Sequence, residues 1–149
     1  TSTERLLCGK GLSEIDLVLR GATAVAPAQA LLPGESSLQR APLRDPATIV
    51  SAALDGHDQA ARRALARFCA VLGSVAGDCA LVHGARTVVI AGGIVPRFVP
   101  FLRASGFRER FLAKGRFAAL LETLPIHVVT HPHPGLLGAA TALRHAPDA

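Results

Sequence analysis

Apolar residues recur at helical spacing along most of the chain, and collapse into compact β-branched runs only twice. The longest helical pattern covers residues 57–83. Ala61, Ala64, Leu65, Phe68, Val71 and Leu72 form one stripe, with Arg62, Arg63 and Arg67 mostly off it. Gly73 and Gly77 interrupt the stripe, and Gly84 is the predicted stop. Upstream, Asp45-Pro46 supplies an N-cap followed by proline at the first helical position, predicting a helix through IVSAAL to Gly56. STERLLC (2–8) predicts a short helix broken by Gly9 and Gly11, and LSEIDLVLR (12–20) a second with Leu12, Ile15 and Leu19 on one side.

TVVIA (87–91) and IHVVT (126–130) predict short buried strands bounded by turn residues. Between them, FVPFLRA, FRERFLA and FAALLETL predict short helices, the first two ending at Gly106 and Gly115. Residues 134–145 predict a terminal helix with Pro134 near its start. Strands alternating with helices in the second half imply parallel pairing in an α/β layer structure. Residues 26–44, rich in Pro, Gly and polar side chains, predict a loop or excursion.

Composition narrows the class. Of 149 residues, 50% are hydrophobic and 18% charged, which excludes a disordered or fibrous chain. No uninterrupted apolar run approaches the roughly 20 residues of a membrane helix, and no signal peptide is visible. No membrane partner is therefore expected. The net charge of +5 permits an anionic partner without choosing one. Three cysteines, Cys8, Cys69 and Cys79, cannot all pair within the chain and show no CxxC spacing. Reduced thiols in a cytoplasmic protein are expected, with Cys69 a small core residue.

Few residues stand out chemically. Gly92-Gly93 follows a predicted buried strand, where a glycine turn serves a sharp strand-to-helix connection or the close approach of a ligand. It is neither GxGxxG nor a P-loop. Arg97, Arg103, Arg108, Arg110, Lys114 and Arg116 interleave with Phe98, Phe101, Phe107, Phe111 and Phe117. That mixture suits single-stranded nucleic acid. The phenylalanines, however, pair at the spacing of core-facing helix positions, so no nucleic-acid partner is expected. His127, His131 and His133 lack a nearby carboxylate or thiol, and no metal site is expected. Cys8 has no evident base, and by itself Glu4 reads as a surface carboxylate.

Together, TERLLCGKGL (3–12), IAGGIVPRFVPFLRASGFRERFLAKGRF (90–117) and HPHPGLLGAATAL (131–143) resemble the C-terminal portion of the bacterial glucokinases. ARRALARFCAVLGSVAGDCAL (61–81) fits the helix that family places between the first two. The resemblance covers most of the chain in order and is weakest over 26–44. It implies an α/β fold: part of a ribonuclease-H-like, actin-like ATPase large domain, helix-rich with a few mostly parallel strands, with residues 1–149 forming one incomplete domain. It implies ATP-dependent phosphorylation of glucose to glucose 6-phosphate, with Mg2+, in a cytoplasmic homodimer. Glu4 matches a glutamate that hydrogen-bonds a sugar hydroxyl, and Gly92 and Gly93 match the adenosine motif. Cys8 and Lys10 stand where the family more often has a small polar residue and proline.

The family's DxGGT-type phosphate loop, its Asn-Asp pair carrying the catalytic base, its second GTGxG loop and its GHxxF-type segment have no counterpart here. The chain alone is therefore expected to be inactive. The lack of Met agrees with a fragment. The alternative is a non-catalytic nucleotide-binding or assembly module derived from the same fold.

Overall fold

The structure, a computed structural model, describes residues 2–21 and 42–145. Most of the predicted 26–44 excursion lies outside the described residues. The elements run α1 (Thr3–Leu6), α2 (Gly9–Leu19), α3 (Pro46–Asp55), α4 (Gln59–Val82), β1 (Val88–Ile90), α5 (Val99–Ala104), α6 (Phe107–Leu112), α7 (Ala118–Glu122), β2 (Ile126–Val128) and α8 (Pro134–Arg144). Short 3-10 turns at Val95–Phe98 and Gly115–Phe117 lead into α5 and α7. The described residues are thus helix-rich with one pair of strands.

α4 is the axis of the packing, with α2, α3 and α6 laid against it. Its apolar stripe is buried at Ala61, Ala64, Leu65, Phe68 and Cys69, as the 3.6-residue period requires. Leu12, Ile49, Phe98, Phe111 and Leu121 close the core around it, and Phe68 meets Phe98 edge-on at 6.3 Å between ring centroids. By length and composition α4 could cross a membrane. Here it serves as a core helix, its charges Arg62, Arg63, Arg67 and Asp78 lying at exposed positions.

Gly73 and Gly77 do not interrupt α4. Both are buried, one turn apart. A Cβ on Gly73 would overlap the carbonyl of Phe107, and one on Gly77 would lie 2.5 Å from the carbonyl oxygen of Phe111. The glycines let the α6 backbone lie directly on α4. Lys114, just past α6, then pairs with Asp78 at 2.6 Å.

The predicted breaks at Gly9 and Gly11 also differ from the structure, where both glycines lie inside α2 with Cys8 as its N-cap. Their intrinsic helix cost of about 1 kcal/mol each is outweighed by close approaches described below. β1 and β2 pair in parallel, with Val88 opposite Ile126, Val89 opposite His127 and Ile90 opposite Val128. Among the described residues neither strand has a second neighbour.

Candidate functional site

Glu4 sits in the first turn of α1, exposed to solvent. Ser2 caps that turn by accepting the Arg5 amide at 3.4 Å. A carboxylate at a helix N-terminus is electrostatically favoured. The thiol of Cys8 donates to the Arg5 carbonyl at 3.3 Å, drawing the α1–α2 link tight. α1 then lies on α2 at Gly11, where a Cβ would overlap the carbonyls of Arg5 and Leu6.

Gly92 and Gly93, just past the end of β1, are exposed. Gly92 has φ +129°, a conformation that favours glycine. Gly93 has no such backbone reason, and a Cβ there would meet nothing within 4 Å. Among the described residues, neither strain nor packing calls for glycine at 93. Immediately after, Val95 and Phe98 are buried and anchor the turn to the core.

The two candidate regions flank the first turn of α2. α1 reaches it through Gly11. The strand turn reaches it through Ile94, whose Cδ1 would lie 3.7 Å from a Cβ on Gly9, with Pro46 Cγ at 3.1 Å. Ile94 is the residue after Gly93, so the turn after β1, the first turn of α2 and the start of α3 meet at one place.

What holds α2 there is an ionic cluster that single-sequence reading missed. Asp16 is wholly buried. Arg44 grips it with two guanidinium nitrogens, Nε donating to Oδ2 at 2.9 Å and Nη2 to Oδ1. Arg20 Nε donates to the same Oδ2 at 2.9 Å. Arg44 Nη1 donates to Asp58 Oδ2 at 2.6 Å, while Asp58 Oδ1 caps α4 by accepting the Ala61 amide at 2.9 Å. The Ser13 hydroxyl donates to the Arg44 carbonyl at 2.7 Å. These hydrogen bonds raise the Arg44 pKa, with Asp16 contributing most. The Asp58 carboxyl is held below its usual 3.8, first by the Ala61 amide and then by Arg44. The sequence signal was faint: an Asp16/Arg20 pair at helical spacing, with the decisive partner 28 residues away.

The basic aromatic segment is helix surface over a core. Phe98, Phe107 and Phe111 are buried, Phe101 is half-buried, and only Phe117 is exposed. Arg62, Arg108 and Arg116 stack over Phe101, Phe111 and Phe117 at 5.7, 5.9 and 5.0 Å. The backbone N–H of His133 donates to His131 Nδ1 at 3.1 Å, both residues being exposed. Among the described residues no three His, Cys, Asp or Glu side chains come together as a metal site. Cys69 is buried as expected, and burial pushes its thiol up to about 11.

Residues 1–146 match the glucokinase family. A glucokinase of Cupriavidus metallidurans is 47% identical over 143 residues, 95% of this chain and 39% of that protein. One from Zymomonas mobilis is 41% identical over 141 residues, again 95% of this chain and 39% of that protein. The crystal structure of a glucokinase from an Antarctic psychrotroph superposes with a TM-score of 0.74 at 30% identity, covering 96% of this chain and 40% of that one. The chain thus spans about two-fifths of the length of the relatives it matches.

Proposed function

The chain belongs to the glucokinase family, and from that membership we propose that it is part of an ATP-dependent kinase converting glucose to glucose 6-phosphate. Within it, Glu4 binds the sugar. An exposed carboxylate accepts strongly from hydroxyl donors. Gly92 and Gly93 receive the adenosine side of ATP. The observation that carries this is Gly93: among the described residues no neighbour calls for its missing side chain, yet it leaves backbone open just past the end of a parallel strand, where α/β sheets take ligands.

Residues 1–149 then form part of the large domain of a ribonuclease-H-like, actin-like ATPase fold, in a cytoplasmic enzyme that works as a dimer. Transfer requires a base for the attacking sugar hydroxyl and loops for the phosphates. This chain supplies neither, and its described residues offer no cluster of ligands for Mg2+, so no step is assigned to the metal here. Its own residues bind and orient. The purified chain is expected to release no ADP above background with glucose and ATP. Glucose-dependent ADP release that scales with the chain's concentration would overturn that division of labour.

A second reading, a non-catalytic assembly or nucleotide-binding module, draws on α8. That helix has no buried residue, and Leu136 and Leu143 are 72% and 79% exposed. Such a surface favours association. A chain that stays monomeric at high concentration in sedimentation would count against this reading and against the dimer.

A further inference from the structure

We infer that Gly11 is a positioning residue for Glu4, the absence of its side chain setting where the sugar-binding carboxylate stands. The inference rests on the reading of Glu4 given above. α2 is a fixed platform: Leu12 and Leu17 are buried in it, the Asp16 carboxylate is clamped by Arg44 and Arg20, and Ser13 is tied to the Arg44 carbonyl. α1 is a single turn with no buried residue of its own. Leu7, its C-cap, packs half-buried against the core, and beyond that the placement of α1 depends on where it touches the platform.

That contact is at Gly11. The carbonyls of Arg5 and Leu6, the residues following Glu4, occupy the space a Cβ on Gly11 would need. The obstacle is backbone, so no rotamer change relieves it. Alanine at 11 must lift α1 or shift it along α2, and Glu4 moves with it. Gly11 has no left-handed φ, so its backbone conformation is open to any residue; the demand for glycine is the contact alone. Gly9 on the same turn differs in degree: a Cβ there meets Pro46 Cγ at 3.1 Å, a tight contact with a side-chain ring and not an overlap with backbone.

The test is glucose titration of the 15N-labelled chain, following the amides of residues 3–8, with a parallel ATP titration following Gly92 and Gly93. Gly11→Ala is expected to shift the residue 3–8 amides before any ligand is added. It should weaken glucose binding by about tenfold or more, since ligand groups tolerate misplacement of only about 0.5 Å. The ATP response should stay within about twofold, a split that general destabilisation would not produce. Glu4→Gln should weaken glucose binding without moving α1.

Should Gly11→Ala fail to fold, a glycine inserted between Leu7 and Cys8 gives α1 slack. The combined variant is expected to recover the fold but not the glucose affinity. Unmoved α1 amides in Gly11→Ala, equal losses of glucose and ATP binding, or a combined variant that folds and binds glucose as tightly as the unsubstituted chain would each overturn the inference. A Glu4→Gln chain that binds glucose normally, or an unsubstituted chain with no saturable response near Glu4, would remove the sugar reading itself and this inference with it.

Discussion

α4 and α8 both carry glycines four or three residues apart inside a helix, and they carry them in opposite circumstances. Gly73 and Gly77 of α4 lie under the α6 backbone, where any side chain would collide. Gly135 and Gly138 of α8 have nothing within 4 Å of where a Cβ would stand. The leucines follow suit: Leu65 of α4 is fully buried, Leu143 of α8 is 79% exposed. Their N-termini differ as well. Asp58 caps α4 and is itself held by Arg44, whereas α8 starts at His133 and Pro134 with no side-chain cap. A helix-internal glycine costs stability unless something approaches it. In α4 the neighbour lies within the chain. In α8, as at Gly93 and at Val89 of β1, which is 58% exposed, no such neighbour is found among the described residues. A chain spanning two-fifths of its relatives' length is where such unmatched faces are expected.

The contrast breaks most visibly at the leucines. Leu65→Ala should cost about 2–5 kcal/mol by urea denaturation, the price of a core cavity, while Leu143→Ala should stay within about 0.5 kcal/mol. Equal losses would mean that α8 is packed in solution. Arg44→Ala strips the buried Asp16 of its bidentate partner and α4 of its tethered cap. A loss of about 3 kcal/mol is expected from leaving that carboxylate short of charge, read in the same denaturation. A change under about 0.5 kcal/mol would show the cluster to be an ordinary surface pair.

The glycines should respond with opposite signs. Gly73→Ala is expected to destabilise by about 1–3 kcal/mol through overpacking against Phe107. Gly138→Ala should stabilise the isolated chain by up to about 1 kcal/mol, because helix propensity alone acts there. Acid sharpens the same comparison at the helix ends. The Asp58 pKa is lowered on folding, so its contribution is present above the unfolded value of 3.8 and lost as pH falls through the lower folded one. Helical hydrogen-exchange protection at the start of α4 should fade in that window, and Asp58→Asn should abolish the pH dependence. The smallest effect concerns thiols. At pH 8 an alkylating reagent should modify exposed Cys79 readily and leave Cys69 untouched until the chain unfolds, since its thiol is buried and titrates near 11.

The sequence was most legible where local chemistry decides. Asp45-Pro46 with Gly56 bounded α3 almost to the residue, Gly56 adopting φ +80° at the C-cap. The stripe from Ala61 to Leu72 located α4, and two β-branched runs located the parallel pair. It was least legible where the reason lies in another segment. Gly9, Gly11, Gly73 and Gly77 read as breakers because propensity is a local quantity, whereas the contacts that require them come from α1, α3 and α6. The Asp16–Arg44–Asp58 cluster has no periodic signature because its members sit on three segments. Of the site, Gly92-Gly93 was visible as a turn after a strand. Glu4 looked like any surface acid until the glucokinase resemblance distinguished it, and its link to Gly11 exists only in the folded chain, where α1 lies on α2.

The central claim is that this chain carries a sugar contact at Glu4 and a nucleotide contact at Gly92-Gly93 without the means of phosphoryl transfer. The most direct test is one nuclear magnetic resonance titration of the unsubstituted chain with glucose and ATP, separately and then together, monitoring ADP in the same tube. The account predicts saturable shifts around Glu4 with glucose, saturable shifts at Gly92 and Gly93 with ATP, and no ADP. Silence at both places, or ADP formed in proportion to protein, would contradict it.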